Sequence, residues 1–265
     1  MPSHRSLHIG IMGAGAIGCF VGGRLAAAGA AEVSFVGRSS LGDRMREHGI
    51  TIRAFDGARY VDSSRVRFAT DAAVLADCDV VLVCVKSGST AEAAAALEGV
   101  LRPHAIVVSL QNGLRNADVL REQLPNNRVV AGIVGFNVVM QDRAVFKQSV
   151  TGPLFVEAKP DEQWVDALRQ TGLEVQTIMP IAPEQWAKLI VNLNNAVSAL
   201  SGASTPELLL SPRFRRVITL LLDEGLDVVR AAGISTAKFR GVPLRIMSRL
   251  HIWPVDDRDG VIHPS

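Results

Sequence analysis

The sequence predicts an α/β fold, in which a doubly wound parallel sheet with helices on its faces is followed by a smaller, all-helical second domain. Three observations carry this prediction. Short apolar runs alternate with helix-forming runs up to residue 134, as a succession of βαβ units requires. One of those runs, residues 79–85, is almost continuously apolar, the pattern of a central parallel strand covered on both faces. After residue 181 the character changes to long helical patterns, each opened by proline and closed by glycine.

Taken in order, residues 7–12 form an apolar strand that ends at Gly13-Ala14-Gly15-Ala16-Ile17-Gly18, and residues 16–28 continue as helix until Gly29 stops them. Residues 32–36, β-branched and aromatic, complete a first βαβ unit. Residues 50–53 and 65–68 read as further short strands with an Asp56-Gly57 turn between them. The alternation then runs through strand 79–85, helix 91–97, strand 106–110, helix 117–123 and strand 129–134. Gly152-Pro153, Gly172 and Met179-Pro180 frame residues 154–157 and 173–178, which are assigned to the far edge of the sheet. Helices over 184–200 and 214–232, closed at Gly202 and Gly233, place the domain boundary at 1–180 and 181–265.

Composition narrows the function classes. The chain has 265 residues, 48% hydrophobic and 20% charged, which is the balance of a packed globular protein. A formal charge of +2 supplies no field to attract nucleic acid or an acidic membrane surface. No run approaches the roughly 20 apolar residues of a spanning helix, and residues 1–6 lack the pattern of a signal peptide. Cys19, Cys78 and Cys84 are odd in number, lack CxxC spacing and sit in apolar runs, so they read as core residues of a protein in a reducing cytoplasm, with no metal site. Lys238, Arg240, Arg245 and Arg249 form a basic cluster that a solvated helix face explains better than nucleic-acid binding. Small-molecule chemistry is the expectation.

The glycine turn is the first element that carries chemistry. A bare GxGxxG is weak, but this one follows a strand and opens a helix. Gly13 permits the tight turn, Gly15 lets main-chain N–H groups approach a pyrophosphate, and Gly18 lets helix and strand pack closely, with the phosphates on the positive helix end. Gly13, Ala14, Gly15, Ala16, Ile17 and Gly18 are therefore the expected cofactor cradle of a Rossmann domain. At the end of the second strand stands Gly37-Arg38-Ser39-Ser40, with no carboxylate to hold the ribose of NAD. Arg38 offers a planar fork suited to a 2′-phosphate, so NADPH is favoured over NADH; an ordinary solvated arginine is the plainer alternative. Lys86 and Asn112 end the two following strands, where ligands bind in open α/β sheets, although Asn112-Gly113 also reads as a simple turn.

In the helix over 184–200, Trp186, Leu189, Ile190, Leu193, Val197 and Leu200 form an apolar stripe, and Glu184, Lys188, Asn192 and Asn195 line the other side. Two readings stay open. The polar face is solvated, with a Glu184–Lys188 pair at i,i+4; or it faces a cleft, where desolvation lowers the lysine pKa and suits it to proton donation.

Together, GAGAIG, VLVCVKS, SLQNG and KLIVNLNNAVSALSG resemble, in order, the ketopantoate reductase (2-dehydropantoate 2-reductase) family over residues 7–235. The resemblance implies reduction of a 2-oxo acid by NADPH, ketopantoate to D-pantoate in pantothenate and coenzyme A biosynthesis. It implies Lys188 as the general acid, Asn112 and Asn192 as substrate-binding residues with Asn195 a further candidate, and Asn112 and Lys86 beside the cofactor. The partner is a small-molecule 2-oxo acid, and a homodimer is one admissible assembly. Asn195-Ala196 stands one residue earlier than the Asn-Pro pair of the family, and residues 253–265 do not match the family's final substrate-gripping segment, so the second domain is expected to be short. A reductase of another 2-oxo acid, and an NADPH-binding remnant or sensor without turnover, are the alternatives that follow.

Overall fold

The computed structural model describes residues 6–239 and 241–250. The chain divides into two compact units, Met1–Met179 and Pro180–Ser265.

The first unit begins with strand β1 (His8–Met12), helix α1 (Ala16–Ala28), β2 (Glu32–Val36) and helix α2 (Ser39–His48). There follow β3 (Ile50–Ala54), β4 (Gly57–Val61), β5 (Arg67–Ala69), β6 (Val80–Val83), α3 (Thr90–Leu97), β7 (Ile106–Ser109), α4 (Asn116–Gln123) and β8 (Arg128–Val134). β9 (Asn137–Gln141), β10 (Val145–Val150), β11 (Leu154–Val156), α5 (Gln163–Gln170) and β12 (Val175–Thr177) complete it. The main sheet has eight strands in the order β12-β11-β8-β7-β6-β1-β2-β5. Its pairs are parallel except β8–β11, which is antiparallel. β1 thus lies between β2 and β6, and the order reverses there, which makes the ends of those strands the switch point of a doubly wound sheet.

Residues 154–156 and 175–177 do form the far edge, as their glycine and proline punctuation predicts. The strand expected near residue 50 is present, but the Asp56-Gly57 turn leads from it into β4, a strand that the sequence does not announce. β3 does not join the main sheet; it pairs with β4 and β10 in a second, four-stranded sheet, β4-β3-β10-β9. The reason is visible in α1, which is apolar around its whole circumference and buried from Gly18 to Ala26. Such a helix needs cover on two sides. Ile50 and Ile52 lie where a Cβ on Gly23 of α1 would touch them, so the second sheet supplies that cover. Arg24, the one charged residue of α1, is 1% exposed. Its guanidinium donates to both oxygens of Asp56 (3.0 and 2.6 Å), in the β3–β4 turn, and to the Thr171 carbonyl (2.7 Å).

The second unit comprises α6 (Ala182–Asn192), α7 (Asn194–Ser201), α8 (Thr205–Leu210), α9 (Pro212–Ala231) and α10 (Leu244–Leu250). Its core is Ala187, Ile190, Val191, Val197, Leu208, Ile218, Leu222, Leu226, Val229, Leu244 and Met247. α6 and α9 approach closely at Gly225, where a Cβ would stand 2.9 Å from Ile190 and Leu193 side chains. The single helix expected over 184–200 is two helices. The ladder tightens at Leu193, whose N–H reaches back three residues to the Ile190 carbonyl (3.2 Å). Leu200, the last member of the expected apolar stripe, is 90% exposed, while Ala187 and Val191 are buried in its stead. Gly202 (φ 70°) and Gly233 (φ 69°) take the left-handed conformation that ends α7 and follows α9.

Candidate functional site

The turn after β1 is built almost wholly from main chain. Gly13 has φ 103° and lies against the segment that follows β6, so that a Cβ there would meet Val85 N at 2.7 Å. The Gly13 and Ala14 N–H groups donate to the Val36 carbonyl (3.1 and 2.8 Å), which fastens the turn to the end of β2. A Cβ on Gly18 would stand 2.5 Å from the Gly13 carbonyl and 2.7 Å from Ile11, which is the close packing of helix on strand that its position predicts. Gly15 differs. Its φ of −98° is open to any residue, and a Cβ there would meet nothing within 4 Å.

The same turn leaves main-chain donors outside the helical ladder. The first i→i−4 bond of α1 runs from Cys19 N–H to the Gly15 carbonyl (2.9 Å), so the N–H groups of Ala16, Ile17 and Gly18 precede the ladder. No side chain caps them and the first turn carries no acidic residue. An open space over Gly15 beside an uncapped, positive helix end fits a pyrophosphate.

Arg38 is exposed at the carboxyl end of β2 and makes no ion pair among the described residues. It is the N-cap of α2, a helix that is not among the elements expected above. Leu41 and Met45, buried and four apart, are the signal that marks it. Ser39 and Ser40 therefore stand on the first turn of a helix, beside Arg38, where an anion is favoured.

Lys86 is exposed just past β6 and Asn112 just past β7. The two loops are tied together, since Ser87 Oγ donates to the Asn112 carbonyl (2.8 Å). Gly113 follows with φ 103°, so the Asn-Gly pair is indeed a turn, and it holds Asn112 outside the strand end. A cavity of about 530 Å3 opens at the opposite ends of β6 and β7, lined by Asp79, Arg102, His104, Glu162 and Trp164 among others, and it shares no residue with the glycine turn.

In the helical unit, Lys188 and Asn192 lie one turn apart on α6 and both are half-buried, whereas Asn195 is exposed on α7, beyond the tightened turn. Burial pushes the Lys188 ammonium down from its ordinary value to about 8. Burial is the cause of that shift, and Glu184 and Lys188 are both half-buried, so this face is not a freely solvated one. Of the basic cluster, Arg245 is paired with Asp227, while Arg240 and the Arg249 side chain lie outside the described residues, as do residues 1–5 and 251–265. Cys19, Cys78 and Cys84 are free thiols, and burial pushes all three pKa values up, to about 12 for Cys78 and Cys84. Among the described residues no helix is long and apolar enough to cross a membrane.

A switch-point glycine turn on a doubly wound sheet, joined in sequence to an all-helical unit, defines a two-unit α/β protein of the Rossmann class. The family model described as "Ketopantoate reductase PanE/ApbA" matches residues 9–160, and "Ketopantoate reductase PanE/ApbA C terminal" matches residues 180–251. The chain belongs to the ketopantoate reductase family, a family of NAD(P)-dependent oxidoreductases. A 2-dehydropantoate 2-reductase of Halobacterium salinarum is 34% identical over 88% of this chain and 78% of that protein. The crystal structure of a PanE/ApbA family ketopantoate reductase from Ralstonia eutropha superposes with a TM-score of 0.80 at 30% identity, covering 92% of this chain and 81% of that one. A 2-dehydropantoate 2-reductase structure from Geobacter metallireducens shares the fold at 21% identity, with a TM-score of 0.81 over 98% of this chain and 85% of that one.

Proposed function

We propose that the protein is an NADPH-dependent reductase of a 2-oxo acid, with 2-dehydropantoate as substrate and D-pantoate as product, in pantothenate and coenzyme A biosynthesis. In this reading residues 1–180 hold the cofactor and residues 181–265 supply the acid and most of the substrate contacts. The single observation that carries it is the ammonium of Lys188, brought by burial to about 8, in a chain whose glycine turn fits a dinucleotide.

NADPH, when bound, supplies the hydride. The chain's own residues do the rest. The N–H groups of Ala16, Ile17 and Gly18 would donate to the pyrophosphate oxygens, with Gly13, Ala14 and Gly15 shaping the approach. Arg38 and the first turn of α2 bind the 2′-phosphate, the feature that separates NADPH from NADH. Lys86 adds positive charge beside the cofactor. Asn112, which can both donate and accept, orients the reacting end of the substrate, and Asn192 positions the substrate on α6, with Asn195 further out.

Lys188 Nζ holds a proton at neutral pH and gives it to the substrate carbonyl oxygen as negative charge develops there. A lysine at its ordinary value would part with that proton reluctantly; one near 8 releases it close to working pH while remaining largely protonated. This favours turnover over a sensor that binds NADPH and reduces nothing. Three inert thiols suit a reducing cytoplasmic setting. A homodimer is compatible with the reading and not required by it.

The test is NADPH oxidation, followed by absorbance, with 2-dehydropantoate and a panel of other 2-oxo acids. Turnover with 2-dehydropantoate well above the others is expected. Preference for another 2-oxo acid redirects the substrate assignment, and NADPH binding without turnover on any of them overturns the enzyme.

A further inference from the structure

Beside the carboxyl ends of β6 and β7, under the first turns of α3 and α4, lies a chain of polar side chains that the reading above leaves unused. Thr90, Ser109, Gln111 and Asn116 are all buried. Ser109 Oγ donates to Gln111 Oε1 (3.0 Å), Gln111 Nε2 donates to Thr90 Oγ1 (2.7 Å), and the Thr90 hydroxyl shares its one proton between Asn116 Oδ1 (2.9 Å) and the Ser87 carbonyl (2.8 Å). Asn116 Nδ2 then donates to the Asn112 carbonyl (2.7 Å) and, more weakly, to Ser87 Oγ (3.3 Å).

The inventory of donors and acceptors fixes the direction of this chain. The Asn112 carbonyl can only accept, so Asn116 presents Nδ2 to it. Asn116 Oδ1 is thereby turned to Thr90, whose hydroxyl has one proton to give. The lone pair of Thr90 Oγ1 must then be met by Gln111 Nε2, and Gln111 Oε1 by Ser109. Turning over the Asn116 amide would set its Oδ1 against the Asn112 carbonyl, two acceptors face to face. With Ser87 Oγ at 2.8 Å and Asn116 Nδ2 at 2.7 Å, both lone pairs of the Asn112 carbonyl are engaged. Four buried polar side chains are an expensive way to fill a space that apolar residues of the same volume would fill equally well; what they add is a single, directional arrangement.

We propose that Thr90 and Asn116 are positioning residues. Through them the ends of α3 and α4 hold the Asn112 main chain at a set height outside β7, so that the Asn112 side chain meets cofactor and substrate without first ordering the loop. The inference rests on the reading that Asn112 contacts those ligands, and its test separates the two.

The full-length protein is compared with Thr90→Val, which keeps the shape and removes the hydroxyl, with Thr90→Ser, which restores it, and with Asn116→Asp and Asn112→Ala. Dissociation of NADPH, kcat and KM for 2-dehydropantoate, the thermal midpoint, and hydrogen exchange of the segment 110–116 are measured. Loss of the hydroxyl breaks a chain of buried hydrogen bonds, so Thr90→Val is expected to weaken NADPH binding and raise KM by about tenfold each, to move kcat less than about threefold, and to speed exchange over 110–116 by about tenfold. Thr90→Ser brings all of them back to within about twofold. Asn116→Asp, which sets a carboxylate against the Asn112 carbonyl, reproduces the Thr90→Val pattern with Thr90 intact, and stands in for it should the valine variant not fold. Wild-type KM and exchange in a folded Thr90→Val protein overturn the proposal; so does a serine variant that regains the wild-type thermal midpoint but not the KM. Should Asn112→Ala leave binding and turnover unchanged while Thr90→Val still loosens 110–116, the role of Asn112 falls and the network's hold on the loop stands.

Discussion

The glycine turn of the first unit and the Lys188 face of the second are built on opposite principles. The turn acts through main-chain groups, and what its sequence specifies is the absence of side chains at three spacings, each with a different consequence: strain at Gly13, contact at Gly18, open space at Gly15. The α6 face acts through side chains whose chemistry depends on what lies around them. Lys188 is an ordinary lysine in sequence, and only its burial brings it to about 8. A main-chain site is therefore written in the spacing of residues, and it does not titrate. A side-chain site is written in the environment and does.

The largest effect that separates the two is expected for Lys188→Ala. It should lower kcat by about 1,000-fold, within the range for loss of a general acid, and leave NADPH dissociation unchanged in a fluorescence titration. Wild-type turnover in that variant removes the acid from the scheme.

Next come the glycines. Gly15→Val adds bulk where the protein itself offers no obstacle, so it should weaken NADPH binding roughly 100-fold while the thermal midpoint stays at the wild-type value. Gly18→Val drives a side chain into the Gly13 carbonyl and should lower the midpoint as well. Equal stability losses in both variants would break the contrast.

The pH dependence sharpens the other half of the comparison. With an acid near 8, kcat/KM should be level below that pH and fall by about tenfold per unit above it. The stability contribution has the opposite sign. A lysine depressed in the folded state binds its proton less well there than in the unfolded chain, so between about 8 and the ordinary lysine value the unfolded state holds more protons, and stability attributable to Lys188 rises with pH. Activity and this stability component should thus move apart over the same interval, and both should go flat in Lys188→Met. The smallest effect is expected at Arg38. Arg38→Ala should weaken NADPH about tenfold and NADH hardly at all, as loss of a charged hydrogen bond to a partly solvated phosphate implies. Equal loss for both coenzymes would return Arg38 to the solvated surface.

Much of the first unit is readable because its signals are local. Glycine at three positions, alternating apolar runs and the break at residue 181 require no knowledge of what packs where. The second sheet was not readable in the same way. β9 and β10 are amphipathic at best, and β3 has the composition of any short strand; what sends β3 to the second sheet is the all-round apolar surface of α1, which has to be covered after the main sheet has covered one side. Arg24 shows the same dependence. In sequence it is a lone arginine among alanines and glycines, and only the β3–β4 turn brings Asp56 to it, where the Arg24 guanidinium holds that carboxyl well below the usual range. The polar chain from Ser109 to Asn116 joins residues scattered over a strand end, a loop and two helices, and no spacing rule connects them.

What the sequence by itself determined is the class of the fold, the glycine turn after the first strand, and the places of Arg38, Lys86 and Asn112 past the ends of strands, since these follow from periodicity and glycine spacing. What only the tertiary structure decided is which polar residues are buried and which partners meet them: Lys188 away from full solvation, Leu200 in the open, Thr90 on Asn116. The physical reason is the range of the forces involved. Turn geometry and strand alternation are settled by neighbours in the chain, whereas desolvation and hydrogen-bond satisfaction are settled by atoms that arrive from anywhere in it.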